Sequence, residues 1–187
     1  MADSITSTTG TPSGTIQAMV VGTSDVVAAP VKTVLRGLDG IDVAAEATDG
    51  IDAVSHLRRQ PIDVIFIDIG DAKVKLATDL SRLLKVDHDA QIVLVATLTF
   101  ANVKNAMAGL VAGAAEFVQA PSRHTPHIAE PEFTRQIAEL ALGLGRARRD
   151  KGTRVIAPPP VAHRFEHQPA GEVRQRRPHV PKAIAVA

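Results

Sequence analysis

Residues 45–69 read AEATDGIDAVSHLRRQPIDVIFIDI. A helical pattern over 51–59, with Asp49 as its natural N-cap and Gly50 following, runs into an unbroken apolar and β-branched stretch at 64–68 that ends on Asp68. A strand apolar on consecutive positions suits a parallel sheet covered on both faces. Working outward, the same alternation recurs along the chain. Strands are expected at 16–21, 42–47, 64–68, 92–96 and 116–118, and helices over 26–38, 51–59, 76–85, 100–112 and 131–149. In the last helix Phe133, Ile137, Leu140, Ala141 and Leu144 form one apolar stripe, and Pro131 suits its first turn. Pro30 falls inside the expected first helix and predicts a later start or a kink.

Five βα units with right-handed crossovers give an α/β, flavodoxin-like (βα)5 domain: a five-stranded parallel sheet in order 2-1-3-4-5 with helices on both faces. Ligands in such sheets sit at the carboxyl ends of the strands. The chemistry is therefore expected around Gly22, Thr23, Asp68, Ala96 and Ala120.

Composition narrows the class. The chain has 187 residues, 45% hydrophobic and 22% charged, enough for one globular domain with length to spare. It lacks Cys, which excludes disulfides, thiolate metal sites and a cysteine nucleophile, and suits a reducing compartment. Lacking Trp and Tyr as well, it offers no aromatic platform for single-stranded nucleic acid. No apolar run approaches a membrane span and no export signal opens the sequence, so a soluble cytoplasmic protein is expected. Charge divides the chain. Residues 1–145 carry 11 Lys/Arg against 17 Asp/Glu, whereas residues 146–187 carry 10 against 3. The domains read as a disordered lead-in at 1–15, a folded domain at 16–149 and a basic, Pro-rich linker or tail at 150–187, with Pro158, Pro159 and Pro160.

The segments AEATDGIDAVSHL at 45–57, DVIFIDI at 63–69 and GLVAGAAEFVQAPS at 109–122 resemble the receiver domain of two-component response regulators. More specifically they resemble the N-terminal receiver of chemotaxis protein-glutamate methylesterases (CheB-like), a branch that Leu98-Thr99 also suits; the resemblance covers about residues 16–145. It implies a phosphoryl acceptor at Asp68, a Mg²⁺-binding acidic pair after the first strand, a switch hydroxyl after the fourth and a Lys after the fifth. In this sequence the pair aligns with Gly22 and Thr23, the hydroxyl with Ala96 and the Lys with Ala120. Of the five, only Asp68 remains. Asp25, Asp71 and Thr97 are the neighbours that could compensate, although Thr97 should point to the opposite face from Ala96. The plainer reading of Asp68 is a strand-end carboxylate that is hydrated or capped by a nearby backbone N–H.

The resemblance also implies a linker leading to an esterase domain. The sequence ends PKAIAVA, which looks like the approach to that domain's first strand, with a chance apolar tail as the alternative for Ala183–Ala187; no Ser-His-Asp site can be assembled, so no enzyme is expected. The expectation from this reading is either an N-terminal methylesterase fragment or a naturally truncated relative. His124 and His127, near Glu130 and Glu132, and the pair His163 and His167, read as solvated rather than as metal ligands. The expectation is a receiver-like (pseudo-receiver) module of the two-component or chemotaxis type that works by phosphorylation-independent docking, with no cofactor. The docking face implied by the resemblance is that of the fourth helix, fifth strand and fifth helix, with Asn102, Lys104, Asn105, Glu116 and Phe117, taking a signalling protein or a second copy. The rivals are a phospho-accepting regulator using Asp68 and Mg²⁺, and weak, non-specific nucleic-acid contact through the tail.

Overall fold

The computed structural model describes residues 14–122 and 130–153. Within them β1 (Ile16–Val21), α1 (Ala28–Arg36), β2 (Ile41–Ala47), α2 (Gly50–Leu57), β3 (Val64–Asp68), α3 (Leu76–Val86), β4 (Gln91–Thr97), α4 (Phe100–Val111), β5 (Glu116–Ala120) and α5 (Glu130–Thr153) alternate strictly. The strands form one parallel sheet in the order β2-β1-β3-β4-β5, as the pattern predicts.

Period-two alternation in the strands divides the core into two layers. Val64 and Phe66 of β3, with Val93 and Val95 of β4, face the layer covered by Val31 and Leu35 of α1 and by Phe133, Ile137 and Ala141 of α5. Ile65 and Ile67, with Ile92, Leu94 and Ala96, face Ala53 of α2, Leu80 and Leu83 of α3 and Ala106 of α4. Every residue of β3 is buried, which explains its unbroken apolar run. One bulge interrupts the pairing: β1 steps from Val43 to Ala45 between Ala18 and Met19, and the Gln60 side-chain amide donates to the Ala44 carbonyl at 2.9 Å.

Element ends depart from the sequence expectation where local hydrogen bonding decides. α1 begins at Ala28, not 26, and Pro30 sits in its first turn, where a backbone N–H has no helical partner to lose. α5 runs on to Thr153, so residues 150–153 belong to the domain and not to a tail. Arg148 bonds Asp87 and lies 3.7 Å from Asp89, and Arg149 donates to Asp63 at 2.9 Å and to the carbonyls of Gly14 and Thr15. Arg148 and Arg149 therefore tie the helix end to the acidic domain instead of starting a separate basic segment, and residues 14–15 are held as well. The remaining expectations for 1–13 and 154–187, with His124, His127, His163 and His167, lie outside the described residues. Among the described residues no helix is long and apolar enough to cross a membrane.

Candidate functional site

The carboxyl ends of β1 and β3 meet at Gly22 and Asp68. Gly22 adopts φ +128°, donates to the Ala47 carbonyl at 2.9 Å, and leaves no room for a side chain: a Cβ there would lie 2.8 Å from the Asp68 Cβ. Asp68 itself is 2% exposed. Ser24 donates its hydroxyl to Asp68 Oδ2, and the Gly70 backbone N–H donates to Oδ1 at 2.9 Å. Both carboxylate oxygens are thus engaged from within the domain.

Ser24 also accepts hydrogen bonds at Oγ from the N–H groups of Val27, at 3.1 Å, and Ala28, at 3.4 Å. It caps α1 and covers Asp68 with one hydroxyl, a role the sequence reading passed over. The signal was present: a Ser three residues ahead of Val27 has the spacing of a helix-capping hydroxyl. The resemblance drew attention to positions 22 and 23 instead.

The other candidates are placed as follows. Asp71 does turn toward the loop after β1, where its Oδ2 accepts from Thr23 N–H at 2.7 Å and from the Thr23 hydroxyl at 2.9 Å, while its Oδ1 accepts from Lys73 N–H at 2.9 Å. Asp25 is exposed and lines a cleft of about 480 Å³ between α1 and α5, beside Pro121 and Phe133, whose lining does not include Asp68. Ala96 and Ala120 are wholly buried, and Thr97 pairs beside Ala120 on β5. Burial pushes the Asp68 carboxyl above the ordinary carboxylate value; the Ser24 and Gly70 hydrogen bonds oppose that rise and the Asp71 charge adds to it. The Lys73 N–H, together with the Thr23 donors, holds Asp71 below that value. Among the described residues no three His, Cys, Asp or Glu side chains group as metal ligands would.

On the expected docking face, Lys104, Asn105 and Glu116 are exposed. Asn102 is not a free surface group: its amide donates to the Thr97 carbonyl at 2.9 Å, at the rim of the Asp68 pocket. Phe117 is half-buried and packs on the layer under α2, α3 and α4. What the sequence reading left out is apolar. Along α4, Phe100 at 90%, Met107 at 64% and Val111 at 91% exposure share one stripe with Lys104.

No family model matches the chain. Curated proteins do. A protein-glutamate methylesterase/protein-glutamine glutaminase of the group 2 operon of Rhodospirillum centenum is 34% identical over 136 residues, 73% of this chain and 34% of that protein. The protein-glutamate methylesterase/protein-glutamine glutaminase 1 of Paramagnetospirillum magneticum is 30% identical over 134 residues, 72% and 35% of the two chains. The chain thus spans about a third of the length of these relatives. Among solved structures, the response regulator domain of Thermotoga maritima CheB shares the fold with a TM-score of 0.54 at 24% identity, over 72% of this chain and 96% of that one. Strand order, the strand-end carboxylate and these matches agree: the chain carries a response-regulator receiver domain of the CheB-like kind.

Proposed function

We propose that this receiver domain acts by docking to a signalling protein, without phosphoryl transfer to Asp68 and without a resident Mg²⁺. The observation that carries the reading is the hydroxyl of Ser24 on Asp68 Oδ2, with Gly70 N–H on Oδ1. An attacking carboxylate oxygen would first have to leave one of these partners. A phosphoryl group would then bring up to about two negative charges close to the Asp71 carboxylate, whose charge already acts on Asp68. The donors present do not fit a hard divalent cation that prefers octahedral oxygen ligation, because Gly22 and Thr23 supply no carboxylate and Asp71 is engaged by Thr23 and Lys73.

We place the docking surface on α4 and β5, where Lys104 and Asn105 share the exposed side of α4 with Phe100, Met107 and Val111, and Glu116 is exposed at the start of β5. Ala96 has no hydroxyl to be drawn toward a ligand, so nothing at Asp68 gives the face of Phe117 a differential preference for a second arrangement. The test is the affinity of a signalling partner, captured from the native cell and purified, for paired variants. Asp68→Asn is expected to bind within about two-fold of the parent chain, and Lys104→Glu or Glu116→Lys at least about ten-fold more weakly. The reverse pattern would establish the phospho-accepting rival.

A second reading is favoured by one observation, the match to methylesterases over about a third of their length. In it the domain is the regulatory portion of a larger methylesterase. An immunoblot of the native cell tests it: a band near 20 kDa, the mass of this chain, would speak against it.

A further inference from the structure

The helices α2 and α3 leave between them a cleft of about 430 Å³, lined by Ile51, Val54 and Arg58 on one side and by Arg82, Lys85 and Val86 on the other. The spacings are i, i+3, i+7 along α2 and i, i+3, i+4 along α3, so each helix turns a single stripe toward the cleft. The floor is apolar, and Ile51, at 63% exposure, has no packing partner that hides it from water. The rim is cationic. Arg82 stands 3.6 Å from the buried Asp79, while Arg58 and Lys85 form no ion pair among the described residues. Among the described residues no carboxylate lines this cleft, although residues 14–153 carry 17 acidic side chains against 15 basic ones. Its positive sign is a local reversal of the domain's charge.

We propose that this cleft docks an acidic amphipathic helix of a partner protein, whose apolar side chains cover Ile51, Val54 and Val86 while its carboxylates meet Arg58, Arg82 and Lys85. Charge complementarity selects the acidic partner, and the trough between two helices selects a helix laid into a groove. Nucleic acid fits less well, since phosphates have no use for an apolar floor and the cleft offers no aromatic ring for a base to stack on. The surface is separate from the α4 stripe and independent of Asp68, so either proposal can fail alone.

The test titrates the full 187-residue chain, by amide NMR, with a synthetic helix of about 16 residues that carries Leu at i, i+3, i+4 and i+7 among Glu residues. A scrambled peptide of the same composition, duplex DNA and phosphatidylserine-containing vesicles are the other arms. Saturable shifts are expected at Ile51, Val54, Arg58, Arg82 and Lys85. Binding should weaken at least about ten-fold with the scrambled peptide and in the double variant Arg58→Glu/Lys85→Glu, and stay unchanged in Lys104→Glu. If the charge reversal lowers the melting temperature, Arg58→Gln/Lys85→Gln replaces it. Absence of saturable binding, equal binding of the scrambled peptide, indifference to both double variants, or preferential binding of DNA or vesicles through the same residues would each overturn the proposal.

Discussion

At Asp68 the conflict between burial and charge can be read as a dependence on pH. Burial raises its carboxyl above the ordinary value of 3.8, so the folded chain holds that proton more tightly than the unfolded one. Stability from this group is complete below pH 3.8 and declines as pH rises through the folded value. Asp68→Asn removes the buried charge but also one of the two acceptors that Ser24 and Gly70 use, so its stability relative to the parent is expected to be higher at pH 7 than below about pH 4, whatever its absolute value. Asp71 runs the other way: its carboxyl is lowered, so its contribution is present above 3.8 and is lost as pH falls through the folded value. Asp71→Asn should therefore lower the melting temperature at pH 7 and matter little at pH 3. Calorimetry of both variants across that range checks the signs, and an Asp68→Asn that loses stability relative to the parent as pH rises from about 3 to 7 would contradict them. At this scale the sequence was half legible. Asp68 stood out because it ends an unbroken apolar run, and Gly22, Thr23, Ala96 and Ala120 stood out by alignment. Ser24 did not, because a hydroxyl that caps a helix and covers a carboxylate at once is a product of the loop's path, and only its three-residue spacing to Val27 hinted at it.

Among the elements, the alternation of strands and helices followed from periodicity, and the errors fell at helix ends. The start of α1 is set by the Ser24 cap and the placement of Pro30, and the length of α5 by Arg148 and Arg149 reaching Asp87 and Asp63, contacts between residues 61 and 86 positions apart that no local pattern announces. The apolar stripe of α5 was legible and carries a prediction. Ile137 is fully buried under the sheet, so Ile137→Ala should cost about 2–5 kcal/mol. Phe100, also apolar but 90% exposed on α4, has no such contacts, and Phe100→Ser should change stability by less than about 1 kcal/mol. Denaturant midpoints of the two variants test this. A large loss at Phe100 would mean that the α4 stripe is packed and unavailable for docking.

For the whole molecule, the apolar side chains that α5 buries, and the arginines that tie its end, precede residue 150. Shortening the chain after Thr153 is accordingly expected to leave the melting temperature within about 2 °C of the parent. The sheet was legible because it rests on a pattern repeated five times along the sequence, and the family because the segments 45–57, 63–69 and 109–122 carry it. The state of the pocket rests on single contacts, and the proposal built on them is an intact receiver fold without phosphoryl chemistry at Asp68. The most direct measurement is intact-mass spectrometry of the full chain after incubation with acetyl phosphate and Mg²⁺, with Asp68→Asn as control. The account predicts no mass increase in either protein. A phosphoryl adduct on the parent chain that Asp68→Asn lacks would contradict it.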